Sequence, residues 1–342
     1  MQSKKFSVIG FGRIGRRHSK IIHEYAHSEL VSITDIDPES LEKADELGIE
    51  ATSYNDIEEF LEKDNNQSDV VCICTPNGWH TEYAIKVLNA GYHVVIEKPM
   101  GITKEACLDV ISAQESSGKR VFVVKQNRYS PPSVWMKQVI DEGLIGDVLM
   151  VQVNCYWNRD DRYYGGTTWR GTKDMDGGAL YTQFSHFIDI MFWVFGDVKQ
   201  PKSIVKNFTH PDLKDFDDSG FAQFEFVKGG IGSINYSTSC WDTNMESSIT
   251  VVGTKGSFKV GGQYMNEIEY CHIEDYEMPE LEPTNPPNDY GPFKGSAANH
   301  HYVIENVVET LNGLSEATAN AYEGMKVVSI IERIYEAASS EK

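Results

Sequence analysis

"VIGFGRIGRRH", residues 8–18, decides the fold of the first part of the chain. Gly10, Gly12 and Gly15 spell G-x-G-x-x-G, a weak signal when it stands alone. Here the apolar run "FSVI" precedes it, and a helical pattern from about Ile14 to Tyr25 follows. In such a strand–turn–helix the first glycine makes the tight turn. The second lets a pyrophosphate approach the backbone, and the third lets helix and strand pack. Amides at the helix N-terminus then face the phosphates. An acid at the end of the next strand should accept hydrogen bonds from the adenosine ribose and repel a 2′-phosphate. Asp35 stands twenty positions past Gly15, with Ile36 beside it. NAD is therefore the expected cofactor. Asp37 is the rival acid, but it is better used as a helix cap. Arg13 is the arginine best placed to reach a phosphate.

The same rhythm continues outward. "LVSITDID" is a second apolar run; Asp37 caps the helix after it, Pro38 suits its first position and Gly48 its end. Asn55 with Glu58 reads as the cap of a further short helix. "DVVCICTP", "HVVIEKP" and "RVFVVKQN" are the third to fifth runs. Helices from about Trp79 to Gly91 and from about Thr103 to Ser117 separate them. Val/Ile runs alternating with helices mean a parallel sheet covered on both faces.

After residue 127 the pattern changes. A helix is expected over 132–142, and "DVLMVQVNCYW" alternates like a half-exposed strand. A polar, aromatic loop at 158–176 precedes "GGALYTQFSHFIDIMFWVFG", read as one helix over 177–195. Between 202 and 274, "GFAQFEF", "GIGSINYSTS", "SSITVVG" and "GSFKV" follow one another without helices. That succession makes an open antiparallel sheet. The expected fold is α/β: an N-terminal Rossmann domain over 1–127, then a C-terminal α/β domain over 128–342 with a large open, mostly antiparallel sheet. The second face of that sheet needs a cover, so a homo-oligomer, dimer or tetramer, is expected.

The chain has 342 residues, with 51 acidic against 31 basic side chains and a net charge of -20. No basic patch offsets that balance, so nucleic acid and anionic membranes are not expected partners. No stretch reaches the roughly 18 apolar residues of a membrane span. "MQSKKFSVIG" leads straight into a strand, so a cytoplasmic location is expected. The six cysteines are scattered. Cys72 and Cys74 share one face of a strand and read as small buried hydrophobes. No C-x-x-C or C-x-x-H spacing occurs, and no metal is expected.

"EKP" (97–99), "CTPNGWH" (74–80) and "DGGALYTQFSHFID" (176–189) together resemble the Gfo/Idh/MocA oxidoreductases over essentially the whole chain. The resemblance implies cofactor contacts from Thr75, Pro76, Asn77 and His80, from Glu97 and Lys98, and from Trp169 and Arg170. "FVVKQNRYSPP", "VQVNCYWNRDDRYY" and "GSFKVGG" are similar to the UDP-N-acetylglucosaminuronate 3-dehydrogenases of surface-polysaccharide synthesis. That closer likeness implies a UDP-linked sugar acid oxidised at its 3-hydroxyl. The sequence departs at Thr182, where the family often carries an acid, or asparagine in the polysaccharide enzymes. A hydroxyl there cannot act as a base near neutral pH.

Oxidising a secondary alcohol needs a base for the hydroxyl proton, and histidine titrates near neutrality. His186 is read as that base. Lys98, at the C-terminal end of a Rossmann strand, is read as the group that positions the reacting oxygen. Without the resemblance, His186 reads first as a core histidine and Lys98 as a surface lysine. Gln126 ends the fifth run, facing the cofactor or serving as a structural amide. Arg128 and Arg170 suit a phosphate or carboxylate. Tyr163, Thr182, Gln183, Asn299 and His300 are the remaining candidate substrate contacts. Two other functions stay open: a dehydrogenase of a free sugar or inositol, and a non-catalytic dinucleotide-bound sensor.

Overall fold

The run Lys4–Ile9 (β1) is buried from Phe6 onward, as an inner strand of a sheet covered on both faces must be. It opens a computed structural model that describes residues 1–213 and 216–339. After it come α1 (Arg13–Glu24), β2 (Ser28–Thr34), α2 (Pro38–Glu46), β3 (Thr52–Tyr54) and α3 (Ile57–Lys63). β4 (Val70–Ile73), α4 (His80–Asn89), β5 (His93–Ile96), α5 (Lys104–Ser117) and β6 (Val121–Val123) complete this part. The strands lie in the order β3-β2-β1-β4-β5-β6, and all pairs are parallel. The order turns back on itself between β1 and β4, the place where such sheets bind ligands.

Two local expectations shift. β3 is a sixth strand, only three residues long and outside the apolar runs read from the sequence. The cap of α3 is Asp56, whose side chain accepts from Glu59 N; the Glu59 carboxylate in turn accepts from Asn55 N at 2.7 Å. The cap thus sits one residue later than Asn55–Glu58, with a carboxylate rather than an amide facing the helix amides, and Glu59 reaches back to the residue before the cap.

The chain divides into two compact units, Met1–Lys125 with His300–Val328 and Gln126–Asn299 with the residues from Ser329 on. The sequence reading places a second domain over 128–342; in the folded chain, 300–328 packs with the first unit. There Val123 N donates to Ala319 O at 3.1 Å, and Phe122 bridges Asn320. Gly324 fits so closely that an added Cβ would lie 2.8 Å from both Met100 and Val123 side-chain atoms.

The second unit contains α6 (Pro131–Asp141), β7 (Val148–Tyr156), α7 (Asp161–Tyr164), α8 (Ala179–Thr182) and α9 (Ser185–Phe195). β8 (Val198–Lys206), β9 (Ser219–Phe226), β10 (Ile231–Ser237), β11 (Glu246–Gly253), β12 (Gly256–Gly261) and β13 (Glu267–Ile273) follow. A small hairpin pairs β14 (Pro287–Asp289) with β15 (Lys294–Ala297). The large sheet has the order β13-β12-β11-β7-β10-β9-β8. Its pairs are antiparallel except β7 with β10, which run parallel. β9 and β10 alternate buried and open positions. On the open face Met150, Phe221 and Ile231 are exposed. Two later helices close the chain: α10 (His300–Leu311) lies in the first unit, and α11 (Ala321–Ser339) begins there and ends in the second. Among the described residues no helix is long and apolar enough to cross a membrane.

The expected single helix over 177–195 is broken. Phe184 N reaches back five residues to Ala179 O, which widens the turn between α8 and α9. Beneath the start of α8 lies a buried acid. Gly178 has φ +119, and a Cβ there would sit 2.6 Å from Tyr335 Oη and 2.8 Å from Asp217 Oδ1. Tyr236 Oη donates to Asp217 Oδ2 at 2.5 Å. Burial pushes the Asp217 carboxyl up to about 6 from an ordinary 3.8, although hydrogen bonds from Tyr236 and Tyr335 oppose the shift. The folded chain therefore holds this proton more tightly than the unfolded chain. Asp217 has no pH-dependent effect on stability well below pH 4 and lowers stability progressively up to about pH 6. Asp217→Asn lacks this dependence. Its stability relative to the parent should rise by about 3 kcal/mol between pH 3 and pH 7 in denaturant titrations. A difference that stays constant with pH would refute the assignment.

Candidate active site

The glycines of the β1–α1 turn have three different surroundings. Gly10 has φ +89, and a Cβ on it would lie 2.7 Å from the Cys74 carbonyl carbon. A Cβ on Gly15 would lie 1.9 Å from Gly10 O, so helix and turn close on each other there. Gly12 has an ordinary φ of -69 and nothing within 4 Å of an added Cβ. Neither dihedral nor packing within the protein requires glycine at 12; the open space is what a close-approaching group would use. α1 starts without a side-chain cap and without an acid in its first turn, where Arg13 and Ile14 stand. Such an end favours an anion. The residues present thus fit a dinucleotide pyrophosphate.

Side chains tie the neighbouring strand ends to this turn. Asp35, at the exit of β2, accepts from Phe11 N at 2.6 Å and Asp37 N at 2.9 Å, and Ile36 beside it is exposed. Asp37 caps α2 as expected, accepting from Glu39 N. In the loop after β4, Asn77 is buried, Thr75 and Pro76 are half-buried, and Thr75 Oγ1 is sealed without a protein partner. A ribose hydroxyl is the kind of group that would satisfy that atom. His80 lies deeper than expected for a cofactor contact. Its Nδ1 is 2.7 Å from Pro99 O and its Nε2 is 2.9 Å from Thr75 O. Burial lowers its pKa, while the two carbonyls pull the other way. Both ring nitrogens are used by the backbone, and the ring braces the β4 loop against the turn that carries Lys98.

Glu97 and His300 also differ from their expected roles. Glu97 Oε1 accepts from His18 Nε2 at 2.8 Å, His300 Nε2 lies 3.7 Å away, and Glu97 Oε2 accepts from Lys98 N at 3.1 Å. All of His18, Glu97 and His300 are buried. Burial pushes the Glu97 carboxyl up, but the His18 hydrogen bond and neighbouring positive charge outweigh it and hold it well below the usual carboxylate range. Burial lowers His300 to about 3, so its ring is neutral at working pH. The ligand atoms of the three residues lie within 4.8 Å of one another, a spacing that a metal ion could bridge. However, the Nδ1 atoms of both histidines have no partner. Metal-bound histidines are normally oriented through that second nitrogen. The group reads instead as a charge network under Lys98, which is half-buried just past β5. His18 was not foreseen; its signal was its place three residues past Gly15.

In the second unit, His186 lies buried in the first turn of α9, with Gln126 Nε2 3.5 Å from its Nε2. Gln126 also donates to Ser296 Oγ. Thr182 Oγ1 donates to the Asp176 carboxylate, which also accepts from Gly171 N. Asp176 was not foreseen: its buried carboxylate lies against the Thr182 hydroxyl. Arg128 is not open to a phosphate. It is fully buried and forks onto Asp189, at 2.9 and 2.8 Å. Asn299 is a structural tie, accepting from Asn285 and donating to Ser130. Tyr163 and Gln183 are buried, while Trp169 and Arg170 are half-buried. Arg159, a further buried cation beside Gln183, was also missed.

Residues 4–125 match the model of the GFO_IDH_MocA oxidoreductase family's NAD-binding Rossmann fold, and residues 137–342 match the model of its C-terminal alpha/beta domain. The WlbA dehydrogenase from Bordetella pertussis, solved with NADH and UDP-GlcNAcA, is 31% identical with a TM-score of 0.88; the match covers 100% of this chain and 98% of that one. The WlbA enzyme from Chromobacterium violaceum, solved with the same two ligands, is 28% identical with a TM-score of 0.88, over 100% and 95%. An inositol 2-dehydrogenase from Salmonella typhimurium is 32% identical over 196 residues, 56% of this chain. The chain spans about half the length of such curated relatives, 55% in this case.

The glycine geometry separates two substitutions. Gly12→Ala should fold with an unchanged melting temperature and bind NAD at least about tenfold more weakly in a fluorescence titration. Gly15→Ala should lose on the order of 3 kcal/mol or more of stability, because backbone must move to admit the methyl group. Wild-type NAD affinity in Gly12→Ala would remove the pyrophosphate from this turn.

Proposed function

The chain belongs to the GFO_IDH_MocA oxidoreductase family, and on that premise we propose that it oxidises the 3-hydroxyl of a UDP-linked N-acetylated sugar acid, with NAD, to the 3-keto sugar. One observation carries this reading: full-length likeness, at 31% identity, to a dehydrogenase solved with NADH and UDP-GlcNAcA. The β1–α1 turn and Asp35 hold the cofactor, Lys98 brings an ammonium and His186 an imidazole. NAD, when bound, accepts the hydride from the sugar carbon. His186 takes the hydroxyl proton, and Lys98 donates a hydrogen bond to the oxygen as negative charge develops on it. Asp176 accepts from the Thr182 hydroxyl and fixes its direction. Arg128 holds the start of the second unit against α9 through Asp189. The active form is a homo-oligomer joined through the open face of the large sheet, where Phe221, Ile231 and Met150 stand uncovered.

A second reading, oxidation of inositol or a free sugar, is favoured by the 32% identity to inositol 2-dehydrogenases. The near-ultraviolet absorbance of NADH distinguishes the two. Formation of NADH with UDP-sugar acids, or its reoxidation by an added keto acid, supports the first; formation with inositol alone supports the second. Lys98→Ala and His186→Ala should each lower kcat by about 10²–10⁴-fold. Near-normal turnover in either variant would remove that residue from the chemistry. Phe221→Asp should reduce the sedimenting species towards the monomer mass, and an unchanged mass would place the interface elsewhere.

A further inference from the structure

Arg159 is a buried cation in a chain of net charge -20, and none of its partners is an acid. Its guanidinium donates to Gln183 Oε1 at 2.7 Å, to Asn158 O and Asn244 Oδ1, and to Lys294 O at 2.9 Å. The rings of Trp157, Tyr163 and Phe293 surround it, with centroids 4.7, 5.5 and 5.0 Å away. Arg170 adds a second cation, its guanidinium 4.2 Å from the centroid of the same Tyr163 ring. Arg170 Nη1 donates to Tyr163 O at 2.8 Å, and its buried Nε has no partner. Arg128, by contrast, is neutralised by Asp189. Two cations placed together repel each other, and neither the aromatic faces nor the single nearby carboxylate, Asp176, cancels both charges.

The hydrogen bonds around Tyr163 have a fixed direction. An arginine only donates, so the Gln183 atom facing Arg159 must be the amide oxygen. The Gln183 amide nitrogen then faces the Tyr163 hydroxyl, with which this side chain is hydrogen-bonded. A hydroxyl that accepts on one side offers its own proton elsewhere. Burial keeps that proton on, moving the Tyr163 pKa up to about 12. Asp176, whose charge Tyr163 also feels, is engaged by Gly171 N and Thr182. The Tyr163 O–H and the Arg170 Nε–H are thus two donors in a positive field, and both need an acceptor.

We infer that Tyr163 and Arg170, charged from behind by Arg159 through Gln183, form the subsite for an anionic oxygen group of the substrate, a carboxylate or a phosphate. The inference rests on the proposed reaction and deepens it. A sugar acid carried on a nucleoside diphosphate satisfies this subsite, whereas inositol leaves its charge unanswered.

The test uses the NADH-loaded protein as wild type, Tyr163→Phe and Arg170→Met. Arg159 is kept, because its removal would collapse the cage that it fills. Calorimetry gives Kd for UDP-N-acetylglucosaminuronate, for the uncharged-sugar counterpart UDP-N-acetylglucosamine, and for NADH itself. Both variants should bind the acid tenfold or more weakly with unchanged melting temperature, and NADH affinity, although Arg170 is also an expected cofactor contact, should fall by less than threefold. If the carboxylate is the group bound, the UDP-N-acetylglucosamine affinity stays within threefold; if the diphosphate is, both UDP compounds weaken together. Either pattern supports the subsite. Wild-type affinity for the acid in either variant overturns it, and so does an equal loss of NADH binding. If the wild type does not bind the acid at all, the proposed substrate fails and pyrophosphate becomes the probe. Binding of pyrophosphate that both variants lose keeps the subsite; no binding by the wild type, or equal binding by the variants, removes it.

Discussion

The first unit depends on one close approach: a methyl group on Gly15 would lie 1.9 Å from Gly10 O. This contact fixes where α1 starts relative to β1, and therefore where the uncapped amides of its first turn point. With helix and turn locked, one side chain ties in each neighbouring strand end. Asp35 brings β2 to the turn through Phe11 N, His18 brings α1 to the end of β5 through Glu97, and His80 joins the β4 loop to Pro99. Lys98 therefore follows a strand end held from several sides. In the candidate active site, several polar side chains hold loops so that a few others can act.

The second unit treats buried charge in two ways. Arg128 and Asp189 form a forked pair, which holds two segments together and shows no net charge outward. Arg159 is surrounded by amides, carbonyls and aromatic rings, so its charge is spread rather than cancelled. Breaking the first arrangement strands an acid; the second already leaves a positive potential in a protein that is acidic elsewhere. The two arginines look alike in the sequence, where each sits among polar and aromatic neighbours.

The parallel sheet was legible because its inner strands are continuous apolar runs and its turns carry glycine, proline and Asx signals. β3 was not, because an edge strand of three residues needs no apolar run. The break between α8 and α9 was hidden because "GGALYTQFSHFID" keeps helical composition throughout, while the deviation lies in the backbone bond from Phe184 N to Ala179 O, beside the side-chain bonds of Thr182 and Gln183. In the site, the glycines and Asp35 could be read because their function is local. His80, Arg128, Asn299 and His300 were read as ligand contacts because their side chains are chemically suitable. Their partners lie 5 to 61 positions away or more, as His80 to Thr75 and Arg128 to Asp189 show, and no spacing rule reports them. Asp176 was missed for the same reason.

The return of 300–328 to the first unit has a consequence for how the protein is made. β6 finishes at Val123, but the groups that pair with its outer edge, Ala319 O and Asn320, are translated only after residues 126–299 of the second unit. His300, which lies against Glu97, likewise arrives late. On the ribosome the first unit therefore waits, with an open strand edge and an incompletely enclosed carboxylate, while the intervening unit is synthesised. The order of synthesis is not the order in which the two units can be completed.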